Sequence, residues 1–382
     1  MIPQKSCKYL GFIIDSEKFH IRLTDKKRKL IKQELLQFKK IKRCTIRSFA
    51  RLVGLLTSAC PAVQYGWLYT KLFERCKYLA LLNSDDYNSY LSLPPELQND
   101  FDWWLKIIDN AIRDDICKIE IFSDASKTGW GVACGEETAN GRWSEEESQQ
   151  HINSLELRAA HFGLQIFAKN LRNCQILLRI DNTTAISYVN RMGGVRFPHL
   201  NKISKNIWQF CEARNLFIFA SYISSQDNDV ADAESRKQHP DTEWELSEAA
   251  YTHVTNLLGM PEIDLFASRI NNKCPRYISW NRDPGAFAIN AFTIEWKKYF
   301  FYAFPPVAVL LKTLKKIITE GAEGIVVAPL WPTQPWFPLF QSLLCCDPII
   351  LEPSDVTLFS PTNSTIQPRL TLMAGRLSGK RS

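Results

Sequence analysis

Long apolar runs are absent from this sequence of 382 residues. A helix that crosses a bilayer needs about 18 or more consecutive apolar residues, so no transmembrane helix is predicted. The N-terminal residues 1–7 also lack the apolar core of a signal peptide. We therefore expect an intracellular protein, cytoplasmic or nuclear, that has no membrane partner.

Paired cysteines are absent too. The chain has eleven cysteines, but none forms a Cys-x-x-Cys pair, and all except Cys345-Cys346 occur singly. Zinc sites and the disulfide frameworks of small secreted domains place cysteines at paired spacings. The pattern argues against both and predicts reduced, mostly buried thiols, as is usual inside a cell.

Positive charge is concentrated at one end of the chain. Residues 1–80 contain 18 Lys and Arg against 5 Asp and Glu, a net charge of +13, so the other 302 residues sum to −6 within the total of +7. A segment this basic is suited to the phosphate backbone of a nucleic acid. Charge alone is equally compatible with a solvated helix face.

The length predicts two or three domains, and the distribution of apolar and turn residues divides the chain into blocks. Residues 1–80 are predicted to be mainly helical, 81–95 to be a linker and 96–240 to form an α/β domain. A smaller, Rossmann-like α/β block is predicted at 262–352. The tail at 353–382, rich in Ser, Thr and Pro, is predicted to be disordered.

In the first block, apolar spacing predicts two strands followed by helices. One strand is predicted over 8–14 and its partner over 19–23. Thr24 and Thr45 are suitable N-cap residues for the two helices that follow. The lysines and arginines fall opposite the apolar stripe of the first of these helices.

The second block has the clearest pattern. Its apolar runs predict three strands, a helix, a strand, two helices and a last strand. The first strand covers 118–124, the third lies around 142–144, the long helix covers 154–170 and the fourth strand 175–181. This order predicts a mixed α/β fold, in which helices pack on a mixed five-stranded sheet.

Four acidic residues lie at the boundaries of these elements. Asp124 ends the first strand before a glycine-rich turn, and Glu156 lies at the edge of the small-residue face of the long helix. Asp181 ends the fourth strand, and Asp232 follows the last one. Hydrolysis of a phosphodiester with two metal ions needs several such carboxylates, which are also the ligands that Mg²⁺ prefers.

Each acidic residue also has a simpler explanation. Asp124 would serve as a turn residue, Glu156 as a first-turn glutamate favoured by the helix dipole, and Asp181 as a helix N-cap. Asp229 competes with Asp232, because spacing alone does not select between them. It is the ordered set of four that indicates a metal-dependent nuclease.

Four short motifs resemble those of the ribonuclease H domains of retroelements. They are Asp124-Ala-Ser126, Glu156-Leu-Arg-Ala159, Asp181-Asn182 and Asn228-x-x-Ala231-Asp232-x-x-Ser235-Arg236. Two further motifs are similar to the DIRS-type group, retrotransposons that integrate through a tyrosine recombinase: Asn190-Arg-Met-Gly-Gly194 and Trp208-x-x-Cys211-x-x-Arg214. Ser224-Ser225 departs from the family, in which Pro-Gly is usual.

This resemblance implies a site and an activity. Asp124, Glu156 and Asp181 would be catalytic and would hold two Mg²⁺ or Mn²⁺ ions. By the same match Asp232, and not Asp229, would be the fourth ligand and catalytic residue. The implied reaction is endonucleolytic hydrolysis of the RNA strand of an RNA–DNA hybrid.

The resemblance also implies how the hybrid would be held. Ser126, Asn182 and Thr183 are the expected contacts to its backbone, together with the basic residues 1–80. Recognition through backbone and 2′-hydroxyl groups predicts little sequence preference. The alternative is a non-catalytic nucleic-acid-binding remnant of a retrotransposon reverse transcriptase, folded but inactive.

The first block resembles the thumb and connection that follow a reverse transcriptase palm. The matching stretches are Cys7-Lys-Tyr-Leu-Gly-Phe-Ile-Ile14 and Ile46-Arg-Ser-Phe-Ala-Arg-Leu-Val-Gly54. No Tyr-x-Asp-Asp motif of a palm occurs in the chain, so no polymerase activity is expected from this polypeptide alone. The chain looks like the C-terminal portion of a longer protein, and the missing palm is an expected partner.

The third block resembles the Dam-methylase-like region that follows ribonuclease H in DIRS-type elements. The matching stretches are Asp264-Leu-Phe-Ala-Ser268, Asp283-Pro284, Ala303-Phe-Pro-Pro306 and Pro329-Leu-Trp-Pro-Thr-Gln-Pro-Trp336. A glycine-rich turn is replaced by Ser268-Arg-Ile270, and no acidic or amide side chain precedes the two prolines. We therefore expect a degenerate, structural or nucleic-acid-binding domain that does not transfer methyl groups.

Overall fold

The computed structural model describes residues 6–15, 20–109, 118–237, 245–353 and 370–380. These residues form two compact units. The first unit takes the described residues of 1–124, 151–164 and 168–229, and the second takes those of 125–150, 165–167 and 230–382. No helix in the described part of the chain is long and apolar enough to cross a membrane.

A small antiparallel sheet opens the chain. Its strands are β1 (Ser6–Tyr9), β2 (Phe12–Asp15) and β3 (His20–Leu23). The prediction of one strand over 8–14 is wrong, because Leu10 and Gly11 adopt φ angles of 47° and 83° and turn the chain back on itself. Positive φ at both positions of a two-residue turn matches the twist of a hairpin.

Three helices and two short 3₁₀ turns follow. They are α1 (Asp25–Phe38), α2 (Ile46–Thr57), the turns Cys60–Ala62 and Leu68–Thr70, and α3 (Lys71–Asn83). The starts of α1 and α2 are confirmed. The Thr24 hydroxyl accepts the N–H of Lys27, and the Thr45 hydroxyl accepts the N–H of Ser48. Each cap satisfies a backbone donor that the helix leaves unpaired.

The structure corrects the prediction of a linker over 81–95. α3 extends to Asn83, and Tyr90–Ser92 forms strand β5, which pairs antiparallel with strand β4 (Arg43–Thr45). The buried Cys44 and Leu91 face each other in this two-stranded ribbon. The segment is therefore tied by backbone hydrogen bonds to the start of α2.

Helix α4 (Leu97–Ile107) packs on the helices that precede it. The ring of Phe101 meets that of Phe73 edge-on at 4.9 Å between centroids, and both side chains are fully buried. Further along, the Tyr65 hydroxyl donates to the carbonyl of Leu216 at 2.8 Å. Residues on both sides of the expected linker therefore share one core within the first unit.

A five-stranded mixed sheet follows, as predicted. Its strands are β6 (Lys118–Ala125), β7 (Gly129–Cys134), β8 (Glu137–Arg142), β9 (Cys174–Ile180) and β10 (Leu216–Tyr222), in the order β10-β9-β6-β7-β8. β10, β9 and β6 are parallel neighbours, whereas β7 and β8 form an antiparallel hairpin. The mixed α/β fold class is confirmed. The third strand, expected around 142–144, ends at Arg142 instead.

Five helices accompany this sheet. They are α5 (Glu145–Ser148), α6 (Ile152–Phe167), α7 (Thr183–Asn190), α8 (Pro198–Glu212) and α9 (Asp229–Ser235). In α5, Ser144 and Glu147 form a capping box. The Glu147 carboxylate also accepts two bonds, of 3.0 and 2.8 Å, from the guanidinium of Arg269. This fork joins the short helix to the C-terminal block within the second unit.

The C-terminal block contains a seven-stranded sheet. Its strands are β11 (Ile263–Asp264), β12 (Arg276–Ser279), β13 (Ala288–Ile289), β14 (Phe300–Ala303), β15 (Glu323–Pro329), β16 (Ile349–Leu351) and β17 (Leu372–Ser378), in the order β13-β12-β11-β14-β15-β17-β16. The helical elements are α10 (Glu248–Leu258), the 3₁₀ turns Ala291–Thr293 and Trp296–Lys298, α11 (Val307–Glu320) and α12 (Phe337–Ser342). The first five strands in this order are parallel, and the last two pairings are antiparallel.

The prediction that the tail is disordered is also wrong in part. Within 353–382, predicted to be disordered, residues 372–378 form β17 between β15 and β16. Met373 and Leu377 on this strand are almost fully buried. The strand is ordered because its apolar side chains complete the core of the C-terminal sheet. The Ser-, Thr- and Pro-rich part of the prediction, 354–369, lies outside the described residues.

Candidate active site

Three of the four predicted carboxylates come together in the first unit. Asp124, Glu156 and Asp181 each place one carboxylate oxygen so that the three atoms lie within 4.8 Å of one another. Asp124 and Glu156 are buried, and Asp181 is partly exposed. The cluster therefore consists of acidic oxygens that open to solvent on one side.

The parallel pairing of β6 and β9 explains why two of these residues meet. Phe122 of β6 lies opposite Arg179 of β9. Asp124 and Asp181 each come two residues later along their strands, and residues two apart face the same side of a sheet. The two carboxylates therefore lie side by side at the carboxyl ends of adjacent strands.

Helix α6 supplies the third carboxylate. Glu156 lies in its first half and is only 4% exposed, and Ala159 and Ala160 on the following turn are fully buried. Small side chains allow a helix to approach its neighbours closely. A carboxylate buried in this way is costly unless a cation or hydrogen-bond donors compensate its charge, and here it faces two further acids.

Two polar residues that the sequence analysis did not assign to the site support the cluster. The Ser225 hydroxyl donates to Oδ2 of Asp181 at 2.8 Å. The buried Asn228 side chain donates through Nδ2 to the carbonyl of Ser123 at 3.1 Å, which holds the residue before Asp124. Ser225 is one of the two serines at which the sequence departs from the motifs that it resembles, but its partner lies 44 residues away, so the sequence does not indicate this contact.

The fourth predicted ligand is not part of the cluster of three. Asp232 lies on α9, where its carboxylate forms an ion pair with Arg236 at 2.6 Å, one helical turn later. Its rival Asp229 is the first residue of the same helix. Asp232 thus lies on a surface helix with its charge balanced by a neighbour.

Helix α9 rests directly on strand β7 at Gly131. A Cβ atom added to this glycine would lie 2.2 Å from the carbonyl oxygen of Ala231 and 2.4 Å from the amide nitrogen of Ser235. In addition, Glu234 of α9 accepts a hydrogen bond from the side-chain amide of Asn140 on β8. Gly131 therefore sets the position of the helix that carries Asp232.

Gly131→Ala is therefore expected to destabilise the protein and to lower any activity that depends on Asp232. The new methyl group meets backbone atoms, which cannot rotate away, and overpacking of this kind costs about 1–3 kcal/mol. Thermal unfolding and a cleavage assay measure the two effects. Gly54→Ala is the matched control, because no heavy atom lies within 4 Å of the added Cβ in α2 and alanine is favoured over glycine in a helix by roughly 0.5–1 kcal/mol. Equal unfolding temperatures and equal cleavage rates for the two variants would contradict the proposed contact between α9 and Gly131.

The three residues predicted to touch the nucleic-acid backbone lie in different settings. The Ser126 hydroxyl donates to the carbonyl of Ser235 at 2.7 Å. Asn182 caps α7, accepting the N–H of Ala185 at 2.9 Å. Thr183 is exposed at the first position of α7. Of the three, Thr183 is the one whose side chain is most open to a ligand.

A histidine also lies on α6, one and a half turns after Glu156. Burial lowers the pKa of His161 to about 4, so its imidazole is neutral at physiological pH. Its ring packs edge-on against that of Phe210. His161 therefore adds no positive charge near the carboxylates and packs against a neighbouring aromatic ring.

No family model and no curated protein matches the chain. Among solved structures, RNase H1 from the halophilic archaeon Halobacterium salinarum is 16% identical, with a TM-score of 0.26 over 31% of this chain and 94% of that one. LC11-RNase H1 in complex with an RNA/DNA hybrid is 17% identical, with a TM-score of 0.25 over 31% of this chain and 91% of that one.

A second kind of solved structure covers more of this chain. The foamy viral protease-reverse transcriptase in complex with an RNA/DNA hybrid is 13% identical, with a TM-score of 0.25 over 64% of this chain. The chain spans only 33% of the length of that protein. What the site does is therefore inferred from its own carboxylates.

Proposed function

We propose that this protein is a metal-dependent ribonuclease H, which cleaves the RNA strand of RNA–DNA hybrids. The observation that carries the proposal is the convergence of Asp124, Glu156 and Asp181, with one oxygen from each within 4.8 Å. Three carboxylates at this separation repel one another strongly unless positive charge is bound between them. Such a cluster destabilises the fold by charge repulsion, whereas its oxygens are well placed to bind divalent cations.

The donor set fits Mg²⁺ or Mn²⁺. Both are hard cations that prefer carboxylate oxygens and retain several waters, so three protein ligands suffice. Asp124, Glu156 and Asp181 would hold the ions, and Asp232 would join them as a fourth ligand. Two bound ions would supply an activated water and would neutralise charge on the leaving oxygen of the phosphodiester.

The chain itself positions the reacting groups. Ser225 orients the Asp181 carboxylate, and Asn228 fixes the backbone just before Asp124. Thr183, exposed at the start of α7, is suited to bind a backbone phosphate, because helix N-termini favour anions. Since these contacts address backbone and not bases, we expect cleavage with little sequence preference.

The direct test is cleavage of a labelled RNA–DNA hybrid by wild type and by Asp124→Asn. We expect the wild type to cut only the RNA strand, in Mg²⁺ or Mn²⁺ and not in EDTA, and the variant to lose the activity by about 10³-fold or more. Asp229→Asn is the matched control, since Asp229 is the rival acid on α9. Loss of activity in Asp229→Asn but not in Asp232→Asn would reverse their assignment.

One observation favours the alternative of a non-catalytic hybrid-binding protein. Asp232 forms an ion pair with Arg236 and is not among the three clustered carboxylates. The same assay separates the two functions when it is paired with a binding measurement. A folded wild type that binds the hybrid in Mg²⁺ and Mn²⁺ without cutting it would establish the binding protein and exclude the nuclease.

A further inference from the structure

The loop and ribbon that join α3 to α4 expose two tyrosines. The side chains of Tyr87 and Tyr90 are 42% and 63% exposed. On β5 the pleat dictates this orientation: Leu91 is buried, so Tyr90 and Ser92 on either side of it face solvent. We call Tyr87 and Tyr90, together with Arg43 and Arg47, the tyrosine platform.

Backbone hydrogen bonds hold the platform rigid. The N–H of Arg47 donates to the carbonyl of Tyr87 at 2.8 Å, and the N–H of Ile46 donates to that of Ser89 at 2.9 Å. The Arg47 side chain also donates through Nε to Oδ1 of Asn88 at 3.3 Å. The loop that carries the tyrosines is therefore fixed to the first turn of α2, and little entropy remains to be lost on binding.

The platform is also cationic. The Arg43 guanidinium lies 5.0 Å from the centroid of the Tyr90 ring. Residues 39–51 contain six Lys and Arg and no acid. Two of the six form ion pairs, Lys39 with Asp102 and Arg51 with Glu34.

The other four basic residues of this stretch are exposed: Lys40, Lys42, Arg43 and Arg47. None of them forms an ion pair with an acidic residue within the described ranges. The adjoining loop carries two acids, Asp85 and Asp86, so the net charge of the four basic and two acidic residues is 4 − 2 = +2. Exposed rings interleaved with arginines can stack on the flat faces of bases and bind the phosphates between them.

We propose that the tyrosine platform binds single-stranded nucleic acid, with an unpaired base on Tyr87, another on Tyr90, and the intervening phosphates on Arg43 and Arg47. A single strand fits better than a duplex, because paired bases already stack on one another and do not expose their faces to a protein ring. Stacking on aromatic side chains is the usual means of holding unpaired bases. The platform does not depend on the carboxylate cluster, so it binds whether or not the protein cleaves hybrids.

The test is fluorescence anisotropy with labelled U20 RNA and T20 DNA, in EDTA so that cleavage plays no part. The double variant Tyr87→Ala, Tyr90→Ala is expected to bind one or both oligomers about 10- to 100-fold more weakly, because each stacked ring contributes roughly a factor of ten. The matching double phenylalanine variant keeps both rings and is expected to bind as wild type does. Phe219→Ala removes an equally exposed ring, 57% exposed on β10, and serves as the control.

Salt dependence tests the arginines separately. Arg43→Gln and Arg47→Gln are each expected to reduce the slope of log K against log salt by about 0.7, the value for one phosphate contact on a single strand. Wild-type affinity in the double alanine variant would overturn the proposal, as would an equal loss in the phenylalanine variant. The proposal would also be overturned if the double alanine variant lost self-association in sedimentation but still bound the oligonucleotides. That result would make the platform a protein interface.

Discussion

Glu156→Gln is expected to abolish the proposed hybrid cleavage and, in buffer without divalent cations, to make the protein more stable. The glutamine keeps the shape of the side chain but removes one of three charges whose oxygens lie within 4.8 Å. Relief of this repulsion should raise the free energy of unfolding by an amount on the order of 1–3 kcal/mol. Catalysis should fall by about 10³-fold or more, because groups that act as a unit fail together.

Thermal unfolding with and without Mg²⁺ measures the stability effect. The wild type should gain stability on adding Mg²⁺, since a ligand that binds only the folded state stabilises it, whereas Glu156→Gln should gain much less. Glu146→Gln, in which an exposed glutamate of α5 is replaced, should resemble the wild type in both respects. A lower unfolding temperature for Glu156→Gln in EDTA would show that the carboxylate has a structural role instead.

The second large effect is expected at Asp264, in the C-terminal block. Burial raises the pKa of this carboxyl group from 3.8 to about 7. Its two oxygens accept the N–H groups of Phe266 and Lys273, at 3.2 and 3.1 Å, which only partly offsets the loss of water. In the folded protein Asp264 therefore retains its proton up to a much higher pH than it does in the unfolded chain.

The sign of the pH dependence follows from this difference. Between about pH 4 and pH 7 the unfolded chain has released the proton and the folded protein has not, so raising the pH favours unfolding. Stability is highest at the acid end of this range, falls as the pH rises, and levels off above pH 7. A shift from 3.8 to about 7 corresponds to a total loss of about 4 kcal/mol at 1.36 kcal/mol per unit.

Urea unfolding at pH 5 and pH 8, followed by tryptophan fluorescence, would measure this loss. Asp264→Asn should remove most of the pH dependence, because asparagine does not titrate. It should also be less stable than the wild type at pH 5, since its amide group cannot accept both backbone N–H groups. Burial also raises the pKa of Glu245, and this contribution should persist in the variant. Glu248→Gln, at a side chain that is 80% exposed, is the control and should leave the difference between pH 5 and pH 8 intact.

Local rules predicted much of the fold because they act over a few residues. Thr24 and Thr45 start their helices because a hydroxyl reaches the N–H three residues later. Alternation and apolar runs predicted the strands that became β6, β9 and β10. The same local reasoning failed at Leu10-Gly11, where a positive φ at a non-glycine residue is not evident from residue type.

Contacts between distant segments account for the other differences. Residues 90–92 and 372–378 were predicted to be linker and tail because the first stretch is short and lies next to polar residues and two prolines, and the second follows a segment rich in Ser, Thr and Pro. Both became strands because a partner strand, β4 in one case and β15 in the other, supplied backbone hydrogen bonds and an apolar surface. The residues of the stretch itself do not indicate which distant segment will pair with it.

By itself, the sequence determined which acids end strands and begin helices, and hence that Asp124, Glu156 and Asp181 were candidates for one site. The parallel register of β6 and β9 and the close approach of α6 decided that these three meet. Tertiary structure alone also placed Ser225 on Asp181, paired Asp232 with Arg236 and set α9 against Gly131. The physical reason is that hydrogen bonds between residues close in sequence determine local secondary structure, whereas the distance between two carboxylates depends on how separate elements pack.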